Sequence, residues 1–184
     1  MNKWLRSLGA SAQMFRRPRS LVVTSALLAI QVALGLVASI SIGPNIRISF
    51  GYLALATTGA LFGPVPALTS GALADVLLFL VRPTGPYFPG FTLSGLLGGL
   101  IYGSVLYDRD IKLWHVLLSK LLIDVLVNLL LNTLWLDMLY GKAFFVILPA
   151  RALKNLAQYP VDVLLLYPLL KFVKRLQSRG QIPA

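Results

Sequence analysis

The stretch LVVTSALLAIQVALGLVASISI at residues 21–42 decides the fold of this chain, because only Gln31 is strongly polar among its 22 residues. A helix that crosses the hydrocarbon core of a bilayer needs about 20 predominantly apolar residues. The run is also too long for the apolar region of a cleaved signal peptide, which has about 7–15 residues. We therefore predict that residues 21–42 form a retained transmembrane helix.

The composition of the whole chain agrees with a membrane protein. Of its 184 residues, 57% are hydrophobic and 12% are charged, whereas soluble domains average about 25% charged residues. A chain of this length cannot hide so much apolar surface from water. Its 17 Lys and Arg residues exceed its six acidic residues, so the formal charge is +11. In a soluble protein this excess would favour nucleic-acid binding. Here the basic residues cluster between apolar runs, so we expect no nucleic-acid partner.

Five further apolar runs follow, separated by turns that contain Gly and Pro. Together the runs predict an all-α integral membrane bundle of six transmembrane helices, at 21–42, 48–62, 67–81, 91–107, 113–140 and 149–172. The second and third runs are short enough that either helix can be tilted, broken or partly buried in protein. The predicted domains are an N-terminal segment at 1–20, a substrate-binding membrane domain at 21–174 and a tail at 175–184.

Lys and Arg are distributed unequally between the two ends of the predicted bundle. Eleven of the 17 fall in the N-terminal segment, the fourth-to-fifth loop and the C-terminal end. Because basic loops remain on the cytoplasmic side, we expect both termini in the cytoplasm of a cell whose plasma membrane the chain crosses several times. The N-terminal segment is either an interfacial helix or a disordered basic tail.

Polar side chains form stripes on the last two predicted helices, where burial in hydrocarbon is expensive. At about 100° per residue, one stripe combines Arg151, Asn155, Gln158 and Asp162, with Lys154 beside it. The other repeats every four residues and consists of Lys120, Asp124, Asn128 and Asn132. We interpret Lys120, Asp124 and Asp162 as contacts between helices. Nearer the outer surface, Arg151, Lys154 and Asn155 are candidates for ligand binding.

The outer half of the predicted bundle has an excess of cations, which favours an anionic ligand. Its charged residues are Arg47, Arg82, Arg151 and Lys154, against Asp75 and Asp137. Asp75 is either the floor of the binding cavity or the partner of one of these arginines. The loop at 82–91 contains Tyr87 and Phe88, whose rings either stack on a planar heterocycle or belong to an interfacial aromatic belt.

Motifs for catalysis or cofactor binding are missing from the sequence. It contains no G-x-x-x-x-G-K-[ST] loop, no Cys, and His115 as its only histidine. These absences remove the usual routes to ATP hydrolysis, to a metal centre and to nucleophilic catalysis. We therefore predict that the chain is not an enzyme and has no cofactor or metal.

Small residues recur every four positions on two predicted helices, which favours close helix packing. The ladder on the fourth helix consists of Gly95, Gly99 and Gly103. The ladder on the first helix consists of Ser25, Ala29 and Ala33. Such ladders mostly join helices of one bundle, and the first-helix ladder is equally suited to docking another subunit.

Several motifs resemble the substrate-binding S components of energy-coupling factor (ECF) transporters. They are RISFGYL at 47–53, GALFGP at 59–64 and GPYFPGFTL at 85–93. Together with LPARALKN at 148–155, they look most like the folate-specific branch of that family. The resemblance covers about residues 21–174, which is nearly the whole chain.

The resemblance implies a six-helix bundle that binds its vitamin from outside the cell, beneath the first, third and fifth loops. It also implies partners, namely one membrane coupling protein and two ATPase subunits that together form the energising module. A small-residue motif on the first helix contacts the coupling protein in this family, which makes Ser25, Ala29 and Ala33 the docking candidates.

The leading hypothesis is high-affinity capture of folate, or a related anionic pterin, and its delivery inward. The candidates for its glutamate end are Arg47, Arg82, Arg151 and Lys154. Tyr87 and Phe88 would cover the ligand, while Asp75 or Asn155 would bond to the pterin edge. The alternatives are an S component for thiamin or riboflavin, and a membrane scaffold without transport activity whose polar stripes only hold helices together.

Overall fold

The computed structural model describes residues 2–42, 46–83, 85–141 and 144–182, and it leaves the side chains at 2–7, 40–42, 46–48 and 147 undescribed. The chain begins with helix α1 (Asn2–Gln13), a 3₁₀ turn (Met14–Arg16) and helix α2 (Pro18–Val37). Two short strands follow, β1 (Ser39–Ile42) and β2 (Ile46–Ser49). The next three helices are α3 (Tyr52–Phe62), α4 (Pro64–Val81) and α5 (Pro89–Leu106). Helix α6 (Leu113–Leu122) continues through a π-helical segment (Ile123–Leu131) into α7 (Asn132–Tyr140), and the chain ends with α8 (Phe144–Ser178).

Prolines begin three of the helices. Pro18, Pro64 and Pro89 are the first residues of α2, α4 and α5, because the fixed φ of proline suits the first turn and its missing N–H would have no helical partner there. Between α3 and α4 stands Gly63 with a φ of +89°, a conformation that residues with a Cβ rarely adopt. The chain therefore reverses sharply at the predicted Gly63–Pro64 break.

Five helical stretches in the described part of the chain are long and apolar enough to cross a bilayer. They are Pro18–Val37, Pro64–Val81, Pro89–Leu106, Leu113–Tyr140 and Leu148–Ser178. Helix α3 is shorter, with 11 residues, and at 1.5 Å per residue it extends only about 16 Å. The prediction of a helical membrane bundle is confirmed, and the second predicted span is a short helix inside it.

Strand β1 and the last two residues of β2 occupy positions where helix was predicted. Residues 39–42 pair antiparallel with residues 46–49, with Ser39 opposite Ser49 and Ile42 opposite Ile46. The segment SISI alternates a polar with a β-branched residue, which is the period of a strand and not of a helix. The first helix therefore ends at Val37, five residues before its predicted end.

Helix α3 forms the centre of the bundle. All nine residues from Ala54 to Phe62 are buried, and α3 contacts α2, α4, α5 and α8. Its Ala56 and Ala60 belong to one core cluster with Tyr102 of α5 and Leu166 of α8. A short helix that is surrounded by other helices has no face in contact with water, which explains why it is apolar on every side.

Glycines bring α4 and α5 into backbone contact. A Cβ at Gly99 would collide with the Ala67 carbonyl, and one at Gly95 would meet the Gly71 backbone. At the next step of the ladder, a Cβ at Gly103 would meet Pro64. The predicted Gly95–Gly99–Gly103 ladder is therefore confirmed as a contact within the bundle.

The N-terminal segment is helical and attached to the bundle. Ser11 of α1 is fully buried. Its hydroxyl donates to the Phe62 carbonyl at 2.8 Å and accepts from the Val65 N–H at 3.0 Å. Because Phe62 and Val65 flank the reversal at Gly63, Ser11 satisfies main-chain groups at that corner. Of the two predicted alternatives, the structure has the helix, and its position at a membrane surface stays a prediction.

We expect Gly99→Ala to destabilise the protein by about 1–3 kcal/mol, as overpacking does in a tight core. The matched control is Gly98→Ala, because a methyl group there would lie 3.8 Å from Leu55 Cδ2, an ordinary contact. Thermal unfolding in detergent measures both variants. Equal melting temperatures for the two would contradict the close approach of α4 and α5.

Candidate functional site

Helix α6, the π-helical segment and α7 form one continuous helix, Leu113–Tyr140, which we call the α6–α7 rod. Three buried charged side chains link this rod to α8. Lys120 Nζ lies 2.9 Å from Asp124 Oδ1 and 2.8 Å from Asp162 Oδ2. The three residues are only 3%, 6% and 1% exposed, respectively. The predicted contact between helices is confirmed, and we call these residues the ion cluster. With one ammonium and two carboxylates, its formal charge is −1.

Neighbouring groups hold the ion cluster from three sides. The ring of Tyr52 on α3 lies 4.9 Å from the Lys120 ammonium, within the range of a cation–π contact. Asn128 Nδ2 donates to Asp124 Oδ1 at 2.8 Å. Gln158 Nε2 donates to both carboxylate oxygens of the α8 aspartate, at 3.1 and 3.0 Å. These contacts orient both carboxylates, as a buried charge requires.

The ion cluster is not arranged as a metal site. The described residues contain no group of three or more His, Cys, Asp or Glu that could hold a metal ion. The position between the two carboxylates is already taken by the Lys120 ammonium. The cluster is therefore suited to hydrogen bonds with neutral groups or with groups that carry N–H or O–H donors, and not to a metal ion.

A π-helical segment carries the acidic side of the site. The nine residues Ile123–Leu131 adopt this wider helix, which is rare and often marks a functional site. Asp124 and Asn128 lie within it. Arg151 Nη1 donates to the main-chain carbonyl of Asn128 at 3.1 Å. The segment thus offers a main-chain acceptor to α8 and a carboxylate acceptor to Lys120 of α6.

The predicted stripe on α8 faces this rod. Arg151 and Lys154 are half-buried, and Asn155 is only 7% exposed. Lys154 forms no salt bridge with a described residue, but it lies within electrostatic range of the ion cluster and of Arg151. The structure therefore brings together Arg151, Lys154 and Asn155, all predicted ligand residues. They lie about two to three helical turns before Asp162 on α8.

Asp75 belongs to a different polar group. Thr92 Oγ1 donates to Asp75 Oδ2 at 2.7 Å, and the Tyr87 hydroxyl lies 2.8 Å from Thr92 Oγ1. The Tyr87 ring also packs on Phe79 with centroids 5.1 Å apart. Among the described side chains, no salt bridge to an arginine reaches Asp75. The predicted alternative of an Asp75–arginine pair is therefore not formed there.

Phe88 points away from that group. Its ring centroid lies 5.7 Å from Trp135 of α7, whose Nε1 donates to Ser94 Oγ at 3.0 Å. Because Thr92 and Ser94 are two positions apart on α5, their side chains diverge by about 200°. The two predicted covering residues, Tyr87 and Phe88, thus join groups on opposite faces of α5.

The two remaining predicted cations lie at the same end of the fold as the loop between α4 and α5. Arg82 caps α4, since its N–H donates to the Leu78 carbonyl at 2.9 Å, and its side chain is exposed. Arg47 lies on β2, and its side chain is outside the described residues. Of the four predicted cations of the outer half, the structure therefore describes the side chains of Arg82, Arg151 and Lys154.

The small-residue ladder of α2 faces outward. Ser25, Ala29 and Ala33 are all exposed. The buried positions of the same helix include Thr24, Gln31 and Gly35. The ladder does not pack within the described part of this chain, so it is free for another protein or for lipid.

Sequence reasoning did not single out Tyr52, Thr92 or Trp135 as part of these groups. Tyr52 and Thr92 lie inside motifs that carried the family resemblance, which was the available signal. Trp135 stands three residues after the polar stripe at Asn132. Hydroxyls and aromatic rings are common in every membrane helix, so their partners emerge only from the packing.

Comparison with known proteins gives consistent matches over most of the chain. The family model described as "ECF-type riboflavin transporter, S component" matches residues 17–175. The folate transporter FolT of Clostridium novyi (strain NT) is 42% identical over 139 residues, which are 76% of this chain and 81% of the relative. FolT of Leuconostoc mesenteroides subsp. mesenteroides is 30% identical over 152 residues, covering 78% of this chain and 82% of the relative.

A solved structure has the same fold. The crystal structure of FolT bound with folic acid matches with a TM-score of 0.78 and 32% sequence identity. The match covers 84% of this chain and 96% of that chain.

We expect Lys120→Met to destabilise the protein by about 3–5 kcal/mol, because it leaves two buried carboxylates without their counter-charge. Adding Asp124→Asn and Asp162→Asn should recover most of the loss, since no net charge then remains buried. Thermal unfolding in detergent measures each variant, with the exposed Lys171→Met as control. A wild-type melting temperature for Lys120→Met would show that the ion cluster does not hold α6 and α8 together.

Proposed function

The chain belongs to the S components of ECF-type transporters, and from that premise we propose that it captures folate outside the cell and delivers it inward. Members of this family are multi-pass membrane transport proteins and not enzymes. The observation that carries the choice of ligand is the 42% identity to a folate transporter. The structural match to a protein bound with folic acid supports the same ligand.

The charges of the site suit the acidic end of folate. Arg151 and Lys154 are half-buried on α8, and burial strengthens their attraction for carboxylates. The planar guanidinium of Arg151 suits a carboxylate in two-point contact. We propose that these two residues hold the glutamate end, with Arg82 and Arg47 as further cations at the mouth. Asn155, Asp75, Tyr87 and Phe88 remain proposed ligand contacts.

Riboflavin is the second candidate, favoured by the description of the family whose model matches the chain. Its ring system has no carboxylate, so the cationic group on α8 would have no matching partner. Thiamin is itself a cation and would be repelled by the same group. Folate therefore fits the site better than either vitamin.

We propose that both termini and the α3–α4 corner lie on the cytoplasmic side. Arg17 and Tyr107 lie within electrostatic range of each other, as do Asp108 and Lys174, which supports a common end for these segments. That end includes eleven of the 17 basic residues, the distribution expected of a cytoplasmic face. We count the α6–α7 rod as one helix and α3 as a short crossing. The chain from α2 to α8 then crosses the bundle six times, and successive crossings run in opposite directions.

Delivery is proposed to require docking on the energising module of a coupling protein and two ATPases. The exposed ladder of Ser25, Ala29 and Ala33 supports this, because small side chains let another helix approach closely. Its exposure in the described structure is what a docking surface for a separate subunit needs.

Purified wild-type protein should bind folate and prefer it to riboflavin and thiamin. We expect Arg151→Gln to weaken folate binding about 10- to 100-fold, the usual effect of losing charged hydrogen bonds. Isothermal titration in detergent measures the affinity, and Arg179→Gln in the exposed tail is the matched control. Tighter binding of riboflavin than of folate by the wild type would overturn the proposed ligand.

Ala29→Leu combined with Ala33→Leu should leave folate binding unchanged and abolish folate uptake by cells that contain the energising module. The added side chains would separate the docked helices without touching the ligand site. Ala157→Leu is the matched control, because Ala157 is exposed on α8. Full uptake by the double variant would place the docking surface elsewhere.

A further inference from the structure

A groove opens on the surface of α2, at the end of the bundle that holds the α3–α4 corner. Its volume is about 350 Å³, and it is lined by Pro18, Arg19, Val22 and Val23. Because the lining is apolar, Arg19 contributes the aliphatic stem of its side chain and not its guanidinium group. Val22 is 67% exposed, on a helix that is long and apolar enough to cross a bilayer. The groove therefore lies where a transmembrane helix leaves the hydrocarbon core.

Two exposed arginines lie at the same end of the bundle as the groove. Val23 of α2 packs against a small core cluster that contains Phe62 and Val173. Arg19 is four residues before Val23, about 6 Å along α2. Arg175 is two residues after Val173, about 3 Å along α8. Both arginines are exposed, and neither forms a salt bridge with a described residue.

The turn before α2 adds a third arginine and is fixed by contacts on both sides. The Arg17 N–H donates to the Met14 carbonyl at 3.1 Å, and the Leu21 N–H donates to the Arg17 carbonyl at 3.1 Å. Upstream of the turn, the hydroxyl of Ser11 is bonded to the main chain of the α3–α4 corner. Arg16, within the turn, is exposed and forms no salt bridge with the part of the chain that the structure describes. The cations near the groove are therefore carried by folded segments.

Carboxylates of the chain do not neutralise these arginines. No acidic residue precedes Asp75 in the sequence, so α1, the turn and α2 have no carboxylate of their own. Asp108 and Asp110, in the loop after α5, lie within electrostatic range of Lys174. The arginines therefore favour an anion that comes from outside the chain.

The apolar groove beside the arginines decides what kind of anion fits. An acidic protein in solution would satisfy the charges but leave the groove uncovered. An anionic phospholipid carries a phosphate at the depth of the headgroups and acyl chains directly beside it. It therefore matches both the cations and the apolar surface.

We propose that the groove, together with Arg16, Arg19 and Arg175, binds one anionic phospholipid. The phosphate contacts the guanidinium groups, whose N–H forks suit phosphate oxygens. One acyl chain lies in the groove along Val22 and Val23. This site is separate from the proposed folate site, because the 18 residues of α4 lie between the α3–α4 corner and Arg82. The inference does not depend on which vitamin the chain binds.

Native mass spectrometry of the purified protein in detergent tests the site. The probes are dioleoyl phosphatidylglycerol, which is anionic, and dioleoyl phosphatidylcholine, which has the same acyl chains and no net charge. We expect the wild type to bind the anionic lipid about 10- to 30-fold more tightly. Arg19→Gln combined with Arg175→Gln should make the two affinities about equal. The matched control is Arg109→Gln combined with Lys112→Gln, which removes two exposed cations from the loop after α5 and should keep the wild-type preference.

A competition experiment on the wild type needs no variant and separates a lipid site from a site for free phosphate esters. The competitor is glycerophosphoglycerol, the water-soluble headgroup of the anionic lipid. We expect that a large excess of it leaves the lipid bound, because it has no acyl chain for the groove. Displacement by the headgroup would overturn the lipid site. So would a preference that survives in the Arg19 and Arg175 variant, or one that is lost equally in the control. Folate titration of the same samples measures the proposed function separately.

Discussion

The ammonium of Lys120 between the carboxylates of Asp124 and Asp162 is the interaction on which the second half of the structure depends. In a medium of low polarity, separating such charges costs several kcal/mol per ion. Only the register that sets Lys120 opposite Asp162 avoids that cost, so α6 and α8 have little freedom to slide. The same register carries Arg151 to the Asn128 carbonyl. The position of Arg151, a proposed ligand contact, is thus a consequence of a structural ion cluster deeper in the bundle.

The two halves of the chain are held together by different forces. Helices α3, α4 and α5 pack backbone against backbone through glycines such as Gly99 and Gly103, and this half buries few charges. The α6–α7 rod and α8 meet through polar and ionic contacts. Helix α5 belongs to both halves, since its glycine ladder faces α4, while Ser94 bonds to Trp135 and Tyr102 lies near the ion cluster. A rigid apolar frame therefore supports a polar lining, the arrangement that a binding subunit needs.

Local patterns predicted what depends on local geometry. The spacing of four between Lys120 and Asp124 predicted their pair. The helix starts predicted at 21, 67 and 91 lie two or three residues after the prolines that begin these helices, at 18, 64 and 89. The same reasoning missed the strands at 39–42 and 46–49, because a run of apolar residues obscured the alternation of Ser and Ile. It also missed the π-helical segment, whose sequence is apolar and helical like its neighbours. The reasoning also missed Thr92 as a partner of Asp75, because a hydroxyl on the facing helix leaves no mark in the charge pattern.

By itself, the sequence determined that the chain is a membrane protein with a strongly basic end, and that it has no catalytic motif. These conclusions depend on composition and on the order of residues along one helix, which folding does not alter. Only the tertiary structure decided which charges are neutralised and which buried polar atoms of the described residues find a partner. Lys120 and Asp162 are 42 positions apart, and Asp124 and Asn155 are on different helices. Whether such residues meet depends on the rotation and register of packed helices, which the periodicity of a single segment leaves undetermined.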